Sequence, residues 1–312
     1  MRQLTSRSAM AGAATLLVAA CSGAPAGAPS AASTAAPIVT AAPVATSAAN
    51  ADFVRDVEVD GRKLHVVCVG PIDTGRPTVL FEAGLGGDVE TWGAVLSELQ
   101  KTDRACAYDR LGNGGSDAAP GPRTTTDQVG DLRMLLAELE VSPPYVLVGF
   151  SLGGWNVMVH NDQFGEDVVG AVMADVRPPG VSARWLEALP AVAGGESEGI
   201  RRSREELTVF EADPSLNPEL LDLRASAAEA VATGGFGDKP LVVLAAANTA
   251  GITEGLEGEL ADTFLTAWWD LQQEMAEQSS AGRLEKVEDS THDMPWERTD
   301  AILDAIHEVL GD

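Results

Sequence analysis

Ser151 has the surroundings of a nucleophile. It sits at the centre of Gly149-Phe150-Ser151-Leu152-Gly153. An apolar, β-branched run precedes it, Tyr145 to Val148, and helix-compatible residues follow, Trp155 to His160. Strand, tight turn with a central serine, then helix is the context in which Gly-x-Ser-x-Gly exposes a serine oxygen at the carboxyl end of a sheet. The chemistry would be attack by that oxygen on an electrophilic carbon, given a base and hydrogen-bond donors. Small residues are needed at Gly149 and Gly153, because the turn is strained and the two backbones pass close together. The start of the next helix supplies N–H groups and a positive dipole end. Gly195-Glu196-Ser197-Glu198-Gly199 matches the same pattern, but no strand precedes it and its serine lies between glutamates. It reads as a solvated loop, so context separates the two copies.

A serine needs a base. Of the four histidines, His292 follows a short strand and lies in a turn with Asp293 and Pro295. His65 falls on an early hairpin, His160 at the end of the helix after Ser151, and His307 in the last helix; each reads as structural. The histidines and cysteines do not have metal-site spacing, and no dinucleotide or phosphate motif opens the fold. No cofactor or metal is expected.

The elements that must position these residues alternate. Phe53 to Val59 and Leu64 to Val69 flank Asp60-Gly61 and read as a hairpin. Strands follow at Thr78 to Glu82, Arg104 to Tyr108, Tyr145 to Val148, Val168 to Ala174, Leu241 to Ala247 and Leu284 to Val287. Helices are expected over Trp92 to Leu99, after a cap at Thr126 with an apolar stripe of Val129, Leu132, Leu135, Leu136 and Leu139, over Leu260 to Met275, and over Thr299 to Leu310. The alternation implies an α/β fold with a mostly parallel central sheet and helices on both faces. Arg177 to Lys239 interrupts it. This stretch is helical, charged and Gly-punctuated, and reads as a lid over the site (177–239).

The chain has 312 residues, a net charge of -26 and a pI near 4.3. That balance excludes a nucleic-acid partner and a basic membrane-binding face. Residues 1–20 have the charged start, short apolar middle and small-residue end of a secretory signal. The run is too short to cross a bilayer. Cys21 directly after Val18-Ala19-Ala20 resembles a bacterial lipobox, in which that cysteine is lipidated. Residues 21–50 are almost all Ala, Pro, Ser, Thr and Gly and read as a disordered tether. The expected location is the bacterial cell envelope, with the membrane met only through this anchor. Residues 51–312 would form the folded domain. Export places Cys68 and Cys106 where a disulfide persists; two separate buried thiols are the alternative.

The order of pieces resembles the α/β-hydrolase fold over residues 53 to 310. The matching stretches are FEAGLGG at Phe81 to Gly87, YDRLGNGGSD at Tyr108 to Asp117, GFSLGG at Gly149 to Gly154 and STHDMPWE at Ser290 to Glu297. The resemblance implies that Ser151 is the nucleophile and His292 the base. It puts the oxyanion N–H groups at Leu152 and Leu85, although Ala83-Gly84 stands where the family usually has His-Gly. Its strand order places Cys68 beside Cys106, which implies a disulfide closing a loop of about 38 residues, worth roughly 3–4 kcal/mol in the chain-entropy model.

The family's acid usually follows the strand Leu241 to Ala247, where this chain has Asn248. Asparagine cannot supply the charge that an imidazolium needs. Asp175, at the end of the preceding strand, resembles the acid position of haloalkane dehalogenases and some lipases. It is the first choice, with a helix cap or a partner for Arg177 as its structural reading, and Glu254 is second. The expected activity is hydrolysis of a small-molecule ester by a Ser-His-Asp acyl-enzyme route. A small-peptide or amide hydrolase, and an inactive surface lipoprotein that binds a ligand or partner, are the alternatives.

Overall fold

A computed structural model describes residues 52–72, 74–192 and 194–312. The signal segment, Cys21 and the whole tether lie outside these residues. Among the described residues, no helix is long and apolar enough to cross a membrane.

The chain runs β1 (Phe53–Val59), β2 (Arg62–Val69), β3 (Thr78–Glu82), α1 (Gly93–Leu99), β4 (Ala105–Tyr108), α2 (Thr125–Glu138), β5 (Tyr145–Phe150), α3 (Gly153–Phe164) and β6 (Val168–Ala174). It continues through α4 (Val181–Ala188), α5 (Glu198–Thr208), α6 (Leu223–Val231), β7 (Leu241–Ala246), α7 (Gly258–Ala276), β8 (Gly282–Val287), α8 (Met294–Glu297) and α9 (Thr299–Leu310). One eight-stranded sheet has the order β1-β2-β4-β3-β5-β6-β7-β8. Among the described residues, only the strand pairs β1–β2 and β2–β4 are antiparallel. The rest are parallel, as alternating strands and helices require.

Strand β5 is buried along its whole length, because both faces of a parallel sheet are covered. Its side chains alternate between two cores. Tyr145 and Leu147 join Leu132 and Leu135 of α2 and Trp155 and Met158 of α3. Val146, Val148 and Phe150 join Val95 and Leu99 of α1 and Ile302 and Ile306 of α9. A period of two in the strand therefore becomes two helix layers.

Cys68 faces Cys106 across the antiparallel β2–β4 pair, and the two form a disulfide. Two local details differ from the sequence reading. Helix α2 starts one residue before Thr126: its cap is Thr124, whose N–H donates to Asp127 Oδ2 at 2.9 Å. That reciprocal bond from the third helical position is what fixes the start. Ser197 is no bare loop residue either. It caps α5, its side chain accepting from Ile200 N–H at 3.3 Å.

Residues 177–239 do two different things. Helices α4 and α5 join α7 in a third apolar cluster that includes Val181, Trp185, Leu207, Phe264 and Trp268. The Trp185 and Phe264 rings stack with centroids 5.0 Å apart. Leu221, Leu223 and Ala230 instead join the α2–α3 core. Arg123 N–H donates to Leu220 O and Asp222 N–H to Arg123 O, which ties that leg to the start of α2.

Candidate active site

Ser151 follows β5 with φ of 52°, a left-handed conformation that costs a non-glycine residue of order 1–3 kcal/mol. Close packing holds it there. A Cβ on Gly153 would lie 2.3 Å from Glu82 O and 2.4 Å from Ala83 O. A Cβ on Gly149 would lie 2.7 Å from Gly154 Cα. Strand β3, the turn and α3 thus meet backbone to backbone.

Asp175 follows β6, also left-handed at φ 41°. It is stitched in place from both sides. Its N–H donates to Leu244 O at 2.7 Å, and its Oδ1 accepts Ala246 N–H at 2.9 Å. Just beyond, Arg177 N–H donates to Ser151 O at 3.3 Å, and Trp155 Nε1 donates to Arg177 O at 2.7 Å. The carboxylate is almost fully buried.

His292 lies between β8 and α8. Asn248 N–H donates to Ser290 O at 3.0 Å, and Thr291 N–H donates to Glu297 at 2.6 Å, which shapes the turn. The imidazole packs on the Phe150 ring with centroids 4.9 Å apart. Its Nδ1 lies 2.6 Å from Asp175 Oδ2 and its Nε2 lies 3.0 Å from Ser151 Oγ. Three side chains from three strand ends therefore form one hydrogen-bonded line, carboxylate to imidazole to hydroxyl.

Glu254 does not reach this line. It is largely exposed and pairs with Arg202 at 3.1 Å. Asn248 makes a local turn, its side chain accepting from Ala250 N–H at 3.1 Å. Leu152 follows Ser151 directly, and Leu85 lies next to Gly84, whose added Cβ would sit 3.2 Å from Ser151 Cβ. Among the described residues, neither the Leu85 nor the Leu152 N–H donates within the protein. Ser151, Asp175 and His292 line a cavity of about 520 Å³, walled by Trp185, Trp268 and Ile252 with Arg177 and Glu206. The size and the mostly apolar wall suit a small organic molecule.

The other histidines are elsewhere. His65 pairs with Asp56 at 2.8 Å. His160 is buried beside Tyr145 and Phe164. His307 lies near Asp103 and Asp312, but Arg76 occupies both Asp312 oxygens and one of Asp103, which makes that cluster an ion-pair group.

The sequence reading passed over a buried polar network beside the site. Arg110, inside YDRLGNGGSD, donates through Nε and Nη2 to Glu219 at 2.8 and 2.9 Å. Glu219 also accepts from Asn113, Gln128 and Gly86 N–H. Burial works against its charge, but Arg110 and these donors outweigh it and hold the carboxyl below its ordinary range. Glu82, which accepts from Tyr108, Asn156 and Arg110, is pushed up by burial. Arg110 stood inside a recognised motif, but nothing in the sequence pointed to a partner 109 positions away.

Comparison with known proteins agrees with this architecture. The model of the "Alpha/beta hydrolase family" matches residues 79–305. The Hormonema carpetanum protein "Probable transporter efuK" is 37% identical over 124 residues, 38% of this chain and 18% of that protein. The chain spans 17% to 39% of the length of the first curated relatives it matches. Among solved structures, an enol-lactonase from Burkholderia xenovorans superposes with a TM-score of 0.57 at 21% identity, covering 83% of this chain and 100% of that one. The carboxylesterase CesB of Bacillus subtilis superposes at 0.54 with 13% identity, covering 83% and 92%. With the family model spanning most of the sheet and every strand end that carries the site, the chain belongs to the alpha/beta hydrolase family.

Proposed function

We propose that this hydrolase cleaves a small-molecule ester through an acyl-enzyme on Ser151. The reading rests on one observation: the line Asp175 Oδ2 to His292 Nδ1 at 2.6 Å and His292 Nε2 to Ser151 Oγ at 3.0 Å. With Nδ1–H donating to Asp175, Nε2 is the unprotonated nitrogen and can accept the serine proton. Oγ then attacks the ester carbonyl. The N–H groups of Leu85 and Leu152 receive the oxyanion, each donor worth about 3 kcal/mol in the transition state. Collapse expels the alcohol, which takes the proton from His292. Water, deprotonated by the same nitrogen, attacks the acyl-enzyme; the intermediate collapses to the acid, and Ser151 Oγ leaves with the proton returned by His292. The Asp175 carboxylate beside Nδ1 stabilises the imidazolium formed in each half.

An enol-lactonase and a carboxylesterase on the same fold fit an ester substrate. Amide hydrolysis is the second reading, since the same groups can protonate an amine leaving group. Turnover of p-nitrophenyl esters from acetate to octanoate, beside the matching anilides, tests the choice. Ester turnover that Ser151→Ala abolishes supports the proposal. Anilides cleaved in preference to every ester would replace it with the amide reading, and no turnover of either would return the ligand-binding alternative. The envelope location belongs to the same proposal, and the Cys68–Cys106 disulfide suits an exported domain.

A further inference from the structure

The Leu85 amide sits in a turn whose other residues are held by buried side chains. Gly87 N–H donates to Gly84 O at 3.0 Å, and Gly86 has φ of 73°. That is the pattern of a type II turn with Leu85 at its second position. Arg110 Nη1 donates to Ala83 O at 2.8 Å and Nη2 to Gly84 O at 2.6 Å. Glu219 Oε1 accepts Gly86 N–H at 2.8 Å. Asn113 Nδ2 donates to Gly87 O at 3.0 Å. Residues 83, 84 and 86 are each held by one backbone group and Gly87 by both of its own, while the N–H of residue 85 has no acceptor among the described residues.

The direction of that N–H follows from peptide geometry. In a trans peptide the C=O and N–H point in opposite directions. Fixing Gly84 O on Arg110 therefore fixes the Leu85 N–H on the opposite edge of the same plane. Fixing Gly86 N–H on Glu219 sets the flip of the next peptide, the one that distinguishes a type II turn from a type I turn.

We propose that the Arg110–Glu219 ion pair is a positioning pair: it aims the Leu85 amide at the oxyanion that forms on the Ser151 adduct. The proposal deepens the ester-hydrolase reading and rests on it. The pair is built for aim. Arg110 and Glu219 side chains are 4% and 0% exposed, and Glu219 grips two nitrogens of the guanidinium. The remaining nitrogen and a shared one reach the two carbonyls. Only a planar fork makes these contacts at once; a lysine ammonium cannot. Glu219 comes from the insertion between β6 and β7, so the leg that returns from the α4–α5 helices also sets the turn beside the serine.

The test is Arg110→Lys in the full chain, which keeps the charge and loses the fork. A fluorophosphonate run to completion counts active serines, so every rate is expressed per titrated Ser151. Interactions made mainly in the transition state appear in kcat and not in KM. The expected result is a fall in kcat on an activated ester of roughly 10- to 100-fold, with KM within about threefold of wild type. Phenylboronic acid, which forms a tetrahedral anion on the serine, should lose affinity by a similar factor. A pair that only holds the fold would lower the melting temperature and the titratable fraction, leaving kcat per site and boronate affinity unchanged; that result overturns the proposal. If Arg110→Lys does not fold, the double variant Arg110→Met with Glu219→Leu removes both charges together and leaves neither unpaired. The same comparison and the same outcomes then apply. Wild-type protein that is neither labelled nor active would overturn the hydrolase reading instead, and the two failures are told apart in one experiment.

Discussion

Asp175 and Ala246 stand at the ends of neighbouring parallel strands, and the Ala246 N–H donates to Asp175 Oδ1 at 2.9 Å. The strand where the family usually places its acid therefore supplies a backbone donor instead. That bond occupies one carboxylate oxygen and turns the other, Oδ2, to His292. A carboxylate fixed by a backbone donor needs no side-chain partner to hold its direction.

Replacing Asp175 with Asn should leave the fold intact and reduce kcat by about 10⁴-fold, because an amide favours the wrong imidazole tautomer and offers no charge. Glu254→Gln, altering an exposed partner of Arg202, should change kcat by less than about twofold. Steady-state rates of the two variants, beside their circular dichroism spectra, check this; the opposite ranking would move the acid to Glu254.

Gly153→Ala should destabilise the protein by about 2–3 kcal/mol or more, since the added methyl would sit 2.3 Å from Glu82 O in a region with no room to shift. Urea unfolding measures the loss. An alanine variant within about 0.5 kcal/mol of wild type would show that strand β3 and α3 are not in backbone contact.

Unfolded, unreduced protein should give no thiol signal from Cys68 or Cys106. Reduction should cost roughly 3–4 kcal/mol of stability through the loop that the bond closes. Two reactive thiols in the oxidised sample would remove the bond from the account.

His160 makes stability depend on pH. Burial, with Arg133 nearby, lowers its pKa from 6.5 to about 4. Above pH 6.5 the ring is neutral in both folded and unfolded chains and contributes nothing. Between 6.5 and about 4 the unfolded chain takes a proton that the folded one refuses, so stability falls as pH falls. Below about 4 the loss levels off, at about 3 kcal/mol. His160→Gln cannot titrate. The difference between its urea-unfolding free energy and that of wild type should narrow by that amount over this range, while the carboxylates cancel. A difference independent of pH would mean the ring is solvated.

Much of the site was legible because the fold builds it from local signals. Strand, turn and helix around Ser151 are contiguous, and the hairpin turn at Asp60-Gly61 has the positive φ values those residues suggest. Asp175 was readable as an acidic residue ending the strand after the elbow helix, and its role came from the resemblance to haloalkane dehalogenases and some lipases. Two kinds of feature were not. The Arg110–Glu219 pair joins residues that only tertiary packing brings together, and a motif names one partner at most. The helix starts at Thr124 and Ser197 turned on which reciprocal acceptor or nearby amide wins, a choice that composition leaves open. The packing of Trp185 and Leu207 on Phe264 and Trp268 of α7 is of the first kind, joining residues far apart in the sequence.

Fluorophosphonate labelling of the folded full chain, with the modified residue located by peptide mass spectrometry, addresses the central claim most directly. Ser151 should carry the adduct, at a rate that drops sharply in Asp175→Asn, while Ser197, in the same Gly-x-Ser-x-Gly pattern but without imidazole or buried acid, stays unmodified. Folded protein that resists the reagent, or that carries it anywhere other than Ser151, would contradict the account.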